Sequence, residues 1–202
     1  MVEKNTEEKI IVAAEKVFIE KGLAGARMQE IADEAGINKS LLHYYYRSKE
    51  KLFTMVFKIA FKTFAPDLIK AFEGDDDFFV KIERFVFAYL SIIDKNPHIP
   101  VFIISELGNN PKRLVDIIGY LDLNVQPVYD AIEEEIKKKM IKEIEPSDLI
   151  INVIALCVFP VVAKPIIKNI VFKGSEEEYK KMLDRRKVEA ARFVISAIKN
   201  TD

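Results

Sequence analysis

The sequence holds a single cysteine, Cys157, so no disulfide can close within the chain. That thiol lies in the apolar stretch 149–167, where a place in the core is expected rather than a role as nucleophile or sensor. Histidine is as scarce: His43 and His98 stand far apart without ligand spacing around them, and no metal site is expected. Seven glycines in 202 residues leave little material for phosphate-cradling loops. No P-loop, dinucleotide-binding glycine pattern or nucleophile elbow is found. With no constellation of acid, base and nucleophile, neither an enzyme nor a bound cofactor is expected. An excess of one charge is missing too, since 31 basic residues face 32 acidic ones. A general affinity for polyanions is thereby excluded, and any binding of nucleic acid must come from a local patch. Residues 1–8 are charged and lack the apolar core of a signal peptide. The longest apolar run, 149–167, is interrupted by Asn152, Lys164 and two prolines. No membrane span is expected, and the cytoplasm is the expected location.

What is present is apolar content, 50% of all residues, arranged almost everywhere at helical spacing. The expected class is all-α, with about nine helices. A first helix over 6–21 is capped by Thr6, carries Ile10, Ala13, Ala14, Val17 and Phe18 on one face, and ends at Gly22. A helix from Ser48 to about Ala65 directs Leu52, Phe53, Val56, Phe57, Ala60 and Phe61 to the core, and Pro66 ends or kinks it. Beyond it, helices are expected over 78–93 and 99–107. A long one follows from Pro111 to about Glu143, kinked near Pro127. Two more cover 147–169 and, after a cap at Ser175, the stretch to about Lys199.

Residues 27–52 carry the functional signal. Ile31, Ala32, Ala35, Ile37, Leu42 and Tyr45 form an apolar seam suited to two short helices crossing steeply, with Gly36 where the backbone must turn through positive φ. Asn38 can cap a second helix over 39–45. The outward residues of that helix are Lys39, Ser40, Leu41, His43 and Tyr44: a cation, a hydroxyl, an apolar group for a thymine methyl, and two tips able to bond phosphate. From 38 to 62 there are six basic residues against one acid, Glu50, so the basicity is placed rather than general. Ile31, Ala32, Leu42, Tyr46 and Leu52 are expected to be plain core of a small helical head.

The run from Met28 to Leu52, with its aromatic cluster followed by Ser48-Lys49-Glu50, resembles the signature of TetR-family transcriptional regulators. The resemblance covers about the first quarter of the chain. His43 stands in the place of the family's first tyrosine and Tyr46 in that of its closing phenylalanine. Arg27 stands where the family tends to have a capping Thr or Ser. The resemblance implies a three-helix DNA-binding head over 1–47 and a helical ligand-binding and dimerisation domain over 48–202. It implies Arg27, Gln29, Lys39, Ser40, Leu41, His43, Tyr44, Tyr45 and Lys49 as the residues that meet double-stranded operator DNA.

In the body, the helix starting near 147 is apolar nearly all the way round, more than one core face can use. A second subunit would cover the surplus, and the resemblance implies a homodimer through the last two long helices. Leu156, Phe159, Ala163, Ile167, Phe193 and Ile195 are the expected contacts. An effector pocket is likewise expected, for an apolar or amphipathic small molecule, with Phe87, His98, Phe102, Tyr120, Asn124, Tyr129 and Phe159 as candidate lining. The implied function is a ligand-responsive transcriptional regulator, most simply a repressor released from a pseudo-palindromic operator. A corepressor-dependent regulator or an activator remains an alternative, and so does a helical enzyme or interaction module.

Overall fold

The computed structural model describes residues 5–119 and 123–201, apart from the side chains of Thr63, Phe64, Asp67, His98 and Phe102. Among the described residues there are twelve helical segments and no strand. Ile141 and Lys199 form an isolated antiparallel bridge. The class is all-α, as expected. The larger number of segments comes from breaks in helices that the sequence reads as continuous.

The first four helices are α1 (Thr6–Gly25), α2 (Met28–Ala35), α3 (Lys39–Tyr45) and α4 (Lys49–Lys70). The cap of α1 is Asn5 and not Thr6: the Asn5 carboxamide oxygen accepts the Glu8 amide at 2.9 Å. Gly22 interrupts α1 as expected, at φ +64°, but the helix resumes for one further turn. Gly36 closes α2 in the left-handed conformation, φ +68° and ψ 32°, which turns its amide and that of Ile37 back onto the Asp33 and Ala32 carbonyls. Asn38 then caps α3, its side chain accepting the Leu41 amide at 2.8 Å. Asn38→Ala is expected to lower head stability by about 1 kcal/mol, read as a lower melting temperature by circular dichroism. α4 runs past Pro66 for a further turn. A mid-helix proline costs about 3 kcal/mol, and burial of Ala65 just before it and of Leu68 and Ala71 after it offsets that cost.

After α4 come α5 (Phe78–Lys95), capped by Asp77, then α6 (His98–Asn109), α7 (Pro111–Gly119) and α8 (Gln126–Lys137). The single helix expected from Pro111 to about Glu143 is therefore two. Pro127 lies in the first turn of α8, where its missing amide costs nothing. The Asn124 side chain accepts the Gln126 amide at 3.2 Å just ahead of it. α9 (Pro146–Val162) is followed by α10 (Lys164–Ile166), a π-helical turn Ile167–Val171, and α11 (Glu176–Ile198), capped by Ser175 as expected. The apolar helix expected over 147–169 is thus bent, by 56° at Ala163, next to Pro165. No single described helix is long and apolar enough to cross a membrane.

The chain divides into two compact units. The first comprises residues 1–63 and 102–122, the second residues 64–101 and 123–202. In the first, Ile10, Ala14 and Phe18 of α1 pack with Ile31, Ala32, Leu42, Leu52, Phe53 and Phe57, and Leu114 and Ile117 of α7 join the same core. Phe18 meets Phe53 edge to face at 5.1 Å. In the second, α5, α9 and α11 enclose Ile82, Val86, Leu90, Val153, Cys157, Leu183, Ala191 and Val194. Cys157 is fully buried there, and burial pushes its thiol up to about 12, with Arg186 pulling the other way. At that value the thiol stays protonated and inert.

Candidate nucleic-acid interface

The core of the first unit fixes the orientation of α3. Leu42 is fully buried and holds the inner face, which leaves Lys39, Ser40, His43, Tyr44 and Tyr45 exposed and Leu41 half-buried. Tyr44 is 82% exposed, far beyond what an aromatic ring gains from water, and it meets Tyr45 edge to face at 5.7 Å. A short helix that spends one side chain on its core and turns a cation, hydroxyls and rings outward is built to meet a surface. Gln29 and Arg27 of the preceding helix start are exposed as well, and Gln29 donates along α2 to Asp33 at 2.8 Å. Of the seam residues only Tyr45, 40% exposed, lies outside the core, whereas Tyr46, 7% exposed, is buried as expected.

Three contacts brace this surface. The Tyr46 hydroxyl donates to Glu7 at 3.0 Å across 39 residues of sequence; burial, and then that carboxylate, raise its pKa well above the ordinary phenol value. The Glu30 carboxylate accepts the Arg27 amide at 3.2 Å and the Lys21 ammonium at 3.0 Å, so the start of α2 is satisfied without a capping side chain at Arg27. Lys21 holds the Glu30 carboxyl below its usual range. The third contact involves a residue expected at phosphate. The Lys49 ammonium donates to the Ala26 carbonyl at 2.8 Å and reaches Ala24 at 3.4 Å, which ties the start of α4 to the end of α1. Lys49→Met is therefore expected to cost the head about 1 kcal/mol of stability. It should leave the slope of log affinity against log salt nearly unchanged. A drop by a full unit of slope would mean that the ammonium leaves those carbonyls for a phosphate.

The other expected sites are less gathered. Of the effector candidates, Phe87, Asn124 and Phe159 are exposed and Tyr129 is half-buried, and none of the four belongs to the core cluster of the second unit. Tyr120 and the side chains of His98 and Phe102 lie outside the described residues. Phe72, Phe85 and Tyr89 form an aromatic row packed against that core, with centroids 5.6 and 5.8 Å apart; Phe85 and Tyr89, which the sequence also offers as aromatic lining, stand at i and i+4 on α5. Of the assembly candidates, Phe159 and Phe193 stand 66% and 65% exposed on α9 and α11. Ile151, Ile154 and Val188 add exposed apolar surface to the same two helices. Ala163, by contrast, is 8% exposed, covered by its own chain at the bend, and is not available to a partner. Leu156, Ile167 and Ile195 are half-buried and pack on the subunit core.

Comparison with known proteins agrees with the head. Residues 10–56 match the family described as bacterial regulatory proteins, tetR family. The HTH-type transcriptional regulator RutR of Escherichia coli strain K12 is 28% identical over 142 residues, which are 70% of this chain and 66% of RutR. The HTH-type transcriptional repressor NicS of Pseudomonas putida is 39% identical over 59 residues, 29% of this chain and 28% of NicS. The match thus spans about two thirds of the length of the first relative and less of the second. Among solved structures, a TetR-family protein from a Shewanella species superposes with a TM-score of 0.70 at 16% identity, covering 98% of this chain and 100% of that one. The fold is thus shared with a TetR-family protein along 98% of the chain, and residues 10–56 carry the signature of the tetR family.

Proposed function

We propose that this protein is a ligand-responsive, DNA-binding transcriptional regulator, and most simply a repressor. The observation that carries the reading is α3, which buries Leu42 in its head and turns Lys39, Ser40, His43, Tyr44 and Tyr45 to solvent. Residues 1–47 form the DNA-binding part in this proposal. Lys39, Ser40, Leu41 and Gln29 stand nearest the base edges, and Arg27, His43, Tyr44 and Tyr45 stand at the backbone. Residues 48–202 bind the effector, an apolar or amphipathic small molecule, and hold two subunits together through the exposed faces of α9 and α11. A two-fold dimer would set two copies of α3 on successive major grooves of a pseudo-palindromic site. The names of the relatives support a regulator, and that of NicS supports the repressing sign. The cytoplasm, where DNA is met, is the proposed location. A gel shift on the DNA upstream of the protein's own gene tests the reading. A discrete, salt-sensitive complex supports it; binding no tighter than to unrelated duplex favours a helical interaction module instead.

A further inference from the structure

Pro160 sits inside α9 and has no amide hydrogen, so the Leu156 carbonyl, four residues earlier, loses its helical donor. A donor reaches it from another helix: Nη2 of Arg186, on α11, lies 2.8 Å from the Leu156 oxygen. The Pro160 carbonyl has a similar defect, because the chain leaves α9 at Ala163 and bends away before the next helical amide can return to it. That oxygen accepts the Tyr179 hydroxyl, also from α11, at 3.2 Å. Tyr179 and Arg186 are seven residues apart, two turns along one face of α11, so one face of one helix serves two carbonyls that Pro160 and the bend leave without a helical amide.

The contact is held by packing rather than by the needs of the guanidinium. Nε of Arg186 is buried without an acceptor, and no carboxylate among the described residues forms an ion pair with it. Burial, then the charges of Glu176 and Asp94, push the Tyr179 hydroxyl up to about 12, so it remains a donor at any ordinary pH. The stretch that is stapled in this way is the one that presents Phe159 to solvent, with Phe193 presented from the stapling helix itself.

We infer that Arg186, supported by Tyr179, is a positioning residue for self-association: it replaces the donor that Pro160 removes and so fixes the register of α9 on α11, and with it the spacing of Phe159 and Phe193. This inference rests on the dimer face proposed above. Arg186 touches neither DNA nor, by this account, the other subunit. Its effect comes through the Leu156 carbonyl, and its size must therefore depend on what occupies position 160.

The test is a double-mutant cycle in the full chain, read by sedimentation over a concentration series. Arg186→Met is expected to raise the dimer dissociation constant about ten-fold to a hundred-fold, the usual range for losing a charged donor to a buried carbonyl. Arg186→Lys, which keeps a cationic donor, is expected to recover part of that loss. In a Pro160→Ala background the new backbone amide at 160 serves Leu156. There the same Arg186→Met change is expected to shift the constant less than about three-fold. Equal losses in both backgrounds overturn the inference. So does an unchanged constant on Arg186→Met in a chain that Phe159→Asp still dissociates, an outcome that leaves the dimer face standing. A chain that stays dimeric on Phe159→Asp removes the face and the positioning role together. Should Arg186→Met merely unfold the protein, the cycle is read in melting temperatures, where the same asymmetry is expected: a large fall with Pro160 present and a small one without it.

Discussion

Phe159→Asp is expected to give a folded monomer that binds operator about a hundred-fold to ten-thousand-fold more weakly than the native chain, the range by which joining two binding units exceeds one. The phenyl ring is two-thirds exposed, so the subunit's own core loses little when it is removed, and the helical signal should persist. In the proposed dimer the same position is covered by the other subunit. Two carboxylates brought together near a two-fold axis, each stripped of water, cost several kcal/mol. Burial of an aromatic ring contributes about 1.5–3 kcal/mol per side chain, so loss of the ring adds to loss from the charge. Size-exclusion with light scattering, run beside the gel shift, reads both effects. A dimer of unchanged operator affinity would exclude this face. Ala163→Glu is a different experiment: Ala163 is closed in by its own chain, and a charge there is expected to unfold the second unit rather than separate subunits.

Gly36→Val is expected to abolish specific DNA binding by loosening the turn between α2 and α3. Gly36 holds φ +68°, and an added Cβ would meet no atom within 4 Å, so the penalty is conformational rather than steric contact with neighbours. An ordinary L-residue in this region costs about 1–2 kcal/mol, and a β-branched one costs more because its side chain crowds the following carbonyl. The turn relaxes towards negative φ, which swings α3 away from the direction that Leu42 and Asn38 set. Gly36→Asn is the control, since asparagine enters the left-handed region with less strain. Melting temperature and operator affinity should fall together for valine and largely survive for asparagine. Equal loss in both would point to a need for the missing side chain rather than for the backbone angle.

These two positions also mark what was legible in the sequence. Gly36, Asn38 and Ser175 were readable because a turn or cap is decided within three or four residues, and each acts where its chemistry implies. The buried stripe of the head was readable for the same reason, and only Tyr45 fell outside it, since one residue moves a side chain about 100° round a helix and Tyr46 already holds the inner position. The contacts that brace the site were not readable. Lys49 on Ala26, Tyr46 on Glu7 and Arg186 on Leu156 join segments 23, 39 and 30 residues apart, and no local pattern encodes such pairs. Pro66, expected to end or kink its helix, does not end it, and Pro127 was misread, since it starts a helix instead of kinking one. The effector remained out of reach because aromatic residues fill cores and pockets alike, and Phe87 and Phe159 are exposed rather than gathered.

The central claim, sequence-specific DNA binding by α3 of a two-fold dimer, is tested most directly by selecting bound molecules from a pool of random duplex DNA with the full chain. Repeated selection is expected to return one motif made of two inverted half-sites about one helical turn apart. The same selection with Lys39→Ala should relax preference at one symmetric pair of positions, by roughly 1–3 kcal/mol per lost base contact. A pool that returns no motif, or a single half-site without symmetry bound with the same affinity, would contradict the account.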